Sequence, residues 1–276
     1  MEDDFDAALE ADDNGGVGGP EAPAKAVETA CHTEEQRATL ARALRTIIGA
    51  VYARGFDIKT VAGHEMPEGC SSTHPALEAP LAEFAVPARC AFAANEREVL
   101  VVGVVPATGP RPGTTAAAHE LAPGSHIAVV CISTGDVKPV REAVFNMRRL
   151  MDGMHLVTVI LISFARLTPF TKREIGDMSN PLVQYFNVVD DLQQRVLDHA
   201  LVQPHVPLTP EEARRARQRF KGSPGEPTLF STLSSTEPPV RLLGLRVGDL
   251  VHVTETWGRS PPHDTVFEVA DVQKAT

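Results

Sequence analysis

The sequence predicts a two-part chain: an α/β domain over residues 33–198, then a small α+β domain over residues 199–276, behind an acidic tail of residues 1–32. Three observations carry this reading. Between Ser125 and Phe164 the order strand, helix, strand contains two nearly all-apolar strands, the pattern of a sheet covered on both faces. After Pro207 the texture changes to a helix with explicit start signals and two short strands. Charge is also divided: residues 1–35 hold eleven acids and one base, whereas the remainder balances 25 acids against 25 bases.

The tail has little to bury and much like charge to repel, so it is expected to be disordered. Its glycine run from Gly15 to Gly19 follows no strand and precedes no Lys-Ser/Thr pair, so it is no phosphate loop. Thr33 and Gln36 form a capping box, after which Leu40, Leu44, Ile47, Ile48 and Val51 recur at helical spacing up to a stop at Gly55. A Pro-rich, weakly patterned stretch runs to about Arg89. Strands are expected over Glu98–Val105, Ser125–Ile132 and Leu156–Phe164, with a loop at Gly109–Thr115. Between the last two strands lies an amphipathic helix with Pro139 near its start and Val140, Val144, Met147 and Met151 on one face.

The second domain opens on "HALVQPHVPLTPEEARRARQRF", His199 to Phe220. Thr209 suits the cap, Pro210 the first helical position, and Glu212 closes a capping box. A polar loop to Thr236 follows, then a helical turn after Pro238 that ends at Gly244, where glycine permits a left-handed cap. Strands Leu250–Thr254 and Thr265–Val269 complete the module as a two-stranded hairpin.

Composition and motifs narrow the chemistry. Hydrophobic residues make up 43% of the chain, which excludes wholesale disorder. The acidic start is unlike a signal peptide, and the longest apolar run, Met154 to Ala165, falls short of the ~20 residues that span a bilayer. Cys31, Cys70, Cys90 and Cys131 form no CxxC pair, so an intracellular, reducing compartment is expected. His64, Cys70, His74 and Cys90 lack the short paired spacings of a zinc site. Asp136 and Lys138 imitate half of a metal-dependent nuclease motif, but the preceding strand supplies no second carboxylate. No GxSxG elbow occurs, and Arg214, Arg215, Arg217 and Arg219 spread around their helix rather than forming one basic stripe. No cofactor, metal or catalytic residue is therefore assigned.

The opening stretch of the second domain resembles the junction segment of the fifth subunit shared by eukaryotic RNA polymerases I, II and III, whose C-terminal part corresponds to a small archaeal polymerase subunit. His199, Leu201, Val202, His205, Leu208 and Thr209 fall where that pattern expects such residues, and the helix ends at Phe220. "LFSTLSSTEPPVRLLGLRVGDLVHV" is similar to the family's most typical block, with Pro238, Leu243, Gly244, Leu245, Gly248, Asp249 and Val251 in the expected order. Upstream, the first helix, "FAAN" from Phe92, and Val140 to Thr171 ending in "LTPF" resemble the family's jaw domain more faintly. The loop "ETWGRSPPHD", Glu268 in place of an expected arginine, and Pro204 displaced by one position depart from the pattern. The divergence in an Ala-, Pro- and Arg-rich chain also suits a large-DNA-virus version of the subunit.

The resemblance implies a nuclease-like jaw sheet with flanking helices, followed by an assembly domain. It implies a non-catalytic role, with the largest polymerase subunit, other polymerase subunits and downstream duplex DNA as partners, and no membrane. The location implied is the nucleus for a cellular protein, or a viral factory or virion for a viral one. Residues 199–220 and 238–251 named above are then the subunit interface. Arg166, Thr168, Pro169, Lys172 and Arg173 are then a loop against the DNA backbone; a hydroxyl, cations and a stiffened turn suit phosphate contact without sequence readout. Two rivals stand beside this: a nuclease-fold enzyme using Asp136 and Lys138, and a stand-alone adaptor reusing the assembly module.

Overall fold

Leu40, Ala43, Leu44, Ile47, Ile48 and Val51 recur every three or four residues, and they form the buried face of the first helix, α1 (Glu34–Ala53). The computed structural model describes residues 34–83, 99–107, 122–132, 135–178, 180–199, 202–220, 230–255 and 263–271. The expected disordered tail, the cap at Thr33, "FAAN", Cys31, Cys90, Leu201 and most of the "ETWGRSPPHD" loop lie outside them.

The weakly patterned stretch after Gly55 contains more than the sequence suggests: strands β1 (Asp57–Val61) and β2 (His64–Glu65), and helix α2 (Glu78–Glu83). Strands β3 (Val99–Val104), β4 (Ser125–Cys131) and β5 (His155–Ser163) match the three expected ones closely. Helix α3 (Val137–Leu150) joins β4 to β5, and Val140, Val144 and Met147 are buried on it as its spacing predicts. Helix α4 (Pro169–Asp177) and strand β6 (Leu182–Asn187) follow where the sequence showed only a turn. The sheet runs β2-β1-β3-β4-β5-β6, antiparallel on the β1 side and parallel across β4, β5 and β6.

Both faces are covered, which explains the apolar runs. Ile127, Val129, Cys131, Ile160 and Ile162 face the α1 side, while Ala128, Val130, Ile132, Val159 and Leu161 face α3. Burying each aliphatic side chain is worth ~1.5–3 kcal/mol, so strand alternation fixes which residues belong to each face's core.

The second part is a four-stranded sheet rather than a hairpin. Its strands are β7 (His205–Pro207), β8 (Ser231–Ser234), β9 (Leu250–Glu255) and β10 (His263–Ala270), in the order β7-β9-β10-β8. Helices α5 (Pro210–Arg219) and α6 (Pro238–Leu242) complete it. Leu233, Val240, Leu243, Leu245, Val251, Val253 and Val269 form its own core. Gly244 holds φ 70°, the left-handed cap expected at the end of α6. The two cores touch: Leu242, next to Leu243 in the chain, packs into the α1 side of the first sheet's core, and Leu197 packs against both.

Candidate functional site

Strand β5 delivers the chain to the turn at Arg166, and the turn is held from several sides. Ser163 Oγ accepts from Ala165 N at 3.0 Å, and Asn187 Nδ2 donates to the carbonyls of Phe164 (3.1 Å) and Ala165 (3.2 Å). The Tyr185 hydroxyl also donates to the Ala165 carbonyl, and burial pushes its pKa up. Gly135 closes the other side: a Cβ there would stand 2.2 Å from the Arg166 carbonyl oxygen, so only glycine allows this approach. The backbone N–H of Thr168 donates to the Gly135 carbonyl at 3.3 Å.

Thr168 and Pro169 are the start of α4 and not merely a solvated turn. Thr168 Oγ1 accepts from Thr171 N at 3.2 Å and lies 2.7 Å from Thr171 Oγ1, and Pro169 takes a first-turn position. The Thr168 hydroxyl is thus occupied in capping. Arg166 makes a two-point ion pair with Asp190, at 2.9 and 3.3 Å, whose hydrogen bond and charge raise its pKa. Lys172 and Arg173 are exposed and pair with no other described residue.

A cleft of about 580 Å³ brings Arg166 and Lys172 together with Asp190, Asp191, Arg241, Ser235 and Thr236 from both parts of the chain. Behind it runs a continuous polar connection. Asn187 Oδ1 accepts from Val189 N and Asp190 N, and Asp191 Oδ2 accepts from Asn187 N at 2.7 Å. Arg241 on α6 pairs with Asp191 at 2.6 Å and donates to the Tyr185 carbonyl at 2.7 Å. Its guanidinium also lies 4.8 Å above the Phe186 ring. Arg54, fully buried after α1, donates to the Leu242 carbonyl at 2.7 Å, the Arg241 carbonyl at 3.2 Å and Gln184 Oε1 at 2.9 Å. The second part is therefore fastened to the first by buried polar bonds. Sequence reasoning missed Arg54, Tyr185, Asn187, Asp190, Asp191 and Arg241, since no local pattern distinguishes them from ordinary surface polar residues.

The residues expected at a subunit interface divide by burial. Leu243, Leu245, Val251 and Gly244 are buried in the module itself, so they shape a surface from beneath. His199, Thr209, Phe220 and Pro238 are exposed, and Val202, His205, Leu208, Gly248 and Asp249 are half-buried. Thr209 and Glu212 form the predicted capping box, with Thr209 N donating to Glu212 Oε2 at 2.9 Å; this bond holds the Glu212 carboxyl below its ordinary pKa. Asp249 accepts from Arg246 N at 2.8 Å, but burial pushes its carboxyl up. Arg217 fixes α5 to the sheet by donating to the Gly248 carbonyl at 2.5 Å.

Between α5 and the sheet lies a groove of about 380 Å³, lined by Val206, Leu208, Arg215, Phe220, His252 and Val266 among others. Val206 is 44% and Phe220 48% exposed, an apolar surface open at the sheet edge.

The other sequence candidates are not drawn together. His64 is exposed on β2, Cys70 is buried, and His74 Nδ1 accepts from Ala76 N at 3.2 Å. Asp136 precedes α3 and Lys138 lies in its first turn; among the described residues no three His, Cys, Asp or Glu side chains gather as a metal site. No described helix is long and apolar enough to cross a membrane.

Comparison with known proteins adds an independent observation. Over 112 residues, 40% of this chain, it is 28% identical to the DNA-directed RNA polymerases I, II, and III subunit RPABC1 of Caenorhabditis elegans, and equally to that of Caenorhabditis briggsae. The likeness is to a shared RNA polymerase subunit. The chain spans about half the length of these relatives, the match covering 52% of each. No family model matches the chain. The similarity agrees at the level of a shared polymerase subunit with the resemblance carried by His199–Phe220 and Pro238–Val251.

Proposed function

We propose that the chain is a non-catalytic subunit of a multisubunit DNA-dependent RNA polymerase. In this reading residues 199–276 dock on the largest subunit, and the first domain serves as a jaw with the Arg166–Arg173 segment toward the downstream duplex. The observation that carries it is the 28% identity over 112 residues to a subunit shared by three polymerases. The geometry is compatible. A rigid small module, fastened through Arg54 and Arg241, offers an apolar groove at Val206, Leu208 and Phe220 for a partner segment. Lys172 and Arg173 at the start of α4 supply cations without base-reading partners, as contact to phosphates requires. Catalytic magnesium belongs to the largest subunits in this arrangement.

A photoreactive phenylalanine analogue at position 220, in the chain expressed in its native host, tests the docking surface. Irradiation should give an adduct with the largest polymerase subunit. Adducts only with chains outside a polymerase would overturn the proposal and favour the adaptor reading.

A further inference from the structure

The outer face of α3 has an unusual composition for a chain whose body is neutral overall. Lys138, Arg141, Phe145, Arg148 and Arg149 follow one another along its exposed side, interrupted by one acid, Glu142. Phe145 is 51% exposed in the middle of this row. Helix α4 lies alongside, tied by the Arg141–Glu174 ion pair at 2.6 Å, and adds exposed Phe170 (60%), Lys172 and Arg173. No ion pair joins Lys138, Arg148, Arg149, Lys172 or Arg173 to another described residue. Phe145 and Phe170, on neighbouring helices, thus leave apolar area in water among unpaired cations.

The sequence contains one segment of the complementary kind. Residues 2–13, EDDFDAALEADD, carry seven acids and no base, with Phe5 and Leu9 four residues apart. We infer that this acidic segment docks on the α3–α4 face of its own chain, its carboxylates against Lys138, Arg148, Arg149 and Lys172 and its apolar residues against Phe145 and Phe170. Charge complementarity gives the attraction, and the alternation of acids with Phe5 and Leu9 accounts for the exposed rings, which a phosphate backbone alone would not. Reach is sufficient. The twenty residues between Asp13 and Glu34 extend to ~65–70 Å, against the ~40 Å diameter of a domain of this size. Tethering places the segment at an effective concentration of order millimolar, so weak pairing suffices. By covering Lys172 the segment would also compete with any polyanion for that part of the surface. The inference itself does not rest on the polymerase reading.

The test uses the intact purified chain and a zero-length carbodiimide reagent, which joins carboxylates only to lysines in contact. Peptide mass spectrometry should find the carboxylates of residues 2–13 joined to Lys138 and Lys172 in preference to the exposed Lys59 on β1. High salt should abolish this preference, because exposed charges are screened. The double substitution R148E/R149E, on exposed positions where folding is not at stake, should lower the yield at Lys138 and Lys172 roughly tenfold. Yields at Lys138 and Lys172 no higher than at Lys59, or unchanged by the double substitution, would overturn the inference. Tail-independent protection of the two lysines by a short DNA duplex, with no coupling to the acidic segment, would equally overturn it and give the face to nucleic acid.

Discussion

Replacing Arg54 with alanine should loosen the second part of the chain from the first. The guanidinium is fully buried and donates to two carbonyls at the end of α6, Arg241 and Leu242, and to the Gln184 side chain on β6. Hydrogen bonds from a charged donor are worth ~1.5–3 kcal/mol each, and at least these three are lost. Against this, the variant no longer buries a cation, which offsets part of the loss. The balance for truncating a buried charged group that leaves its acceptors unpaired is ~3–5 kcal/mol. Lysine should recover little, since an ammonium lacks the planar fork that meets acceptors on two elements. Urea denaturation followed by circular dichroism measures the loss, and native-state hydrogen exchange should show β9 and β10 opening before β4 and β5 in the variant. A double-mutant cycle with Arg241→Ala should give a coupling of ~0.5–3 kcal/mol, because the two side chains serve one network. A loss below ~1 kcal/mol with uniform exchange would refute the idea that Arg54 fastens the two parts.

Thr209→Ala should cost ~1 kcal/mol by removing the α5 cap. Glu212, with its folded pKa depressed, stabilises the wild type above its unfolded value of about 4.5 and ceases to as pH falls through the folded value; Thr209→Ala keeps the backbone donor and should only weaken this dependence, whereas Glu212→Gln should remove it, in a pH series of denaturation curves. Asp249 has the opposite sign: its raised folded pKa favours the protonated form, so that contribution is full below about pH 3.8 and is lost as pH rises through the folded value. Asp249→Asn should therefore flatten the stability profile across that window, in the same pH series. Gly135→Ala forces a Cβ to 2.2 Å from the Arg166 carbonyl, and the variant should be destabilised by ~1–3 kcal/mol with increased exchange at residues 166–168. Asp190→Asn frees Arg166 from its ion pair; if the segment meets DNA in an assembled polymerase, the salt slope of downstream binding should steepen by up to ~0.9, and an unchanged slope would show that Arg166 makes no phosphate contact.

Much of the fold was legible where burial imposes a period. The α1 and α3 faces, the three apolar strands and the Thr209 capping box all leave a local signature, and the structure has each within a residue or two of its expected place. Strands β1, β6 and β8 left none, because Asp57–Val61, Leu182–Asn187 and Ser231–Ser234 are short and alternate weakly. Strand β8 joins its sheet by parallel pairing to β10, far along the chain, which no local pattern reports. Helix α4 was hidden by a reading of Thr168-Pro169 as a turn, although a threonine followed by proline is equally a helix start. At the candidate site, Arg166, Lys172 and Arg173 were visible as charges, but Asp190 acquires meaning only when the ends of β5 and β6 come together, and Asp191 and Arg241 only when β6 and α6 meet. The residues expected at a subunit interface form a sequence pattern that does not separate core positions from exposed ones. Leu243, Leu245 and Val251 lie in the module's own core, whereas His199, Thr209, Phe220 and Pro238 are exposed and are the ones open to the proposed contact.

The composition of the complex that the intact chain enters tests the central claim most directly. An affinity-tagged full-length chain, purified under mild salt from the cells or infected cells that make it, should bring down the largest subunit of a multisubunit RNA polymerase in near-stoichiometric amount by mass spectrometry. Recovery as a free protein or with unrelated partners, and above all metal-dependent nuclease activity abolished by Asp136→Ala, would contradict it.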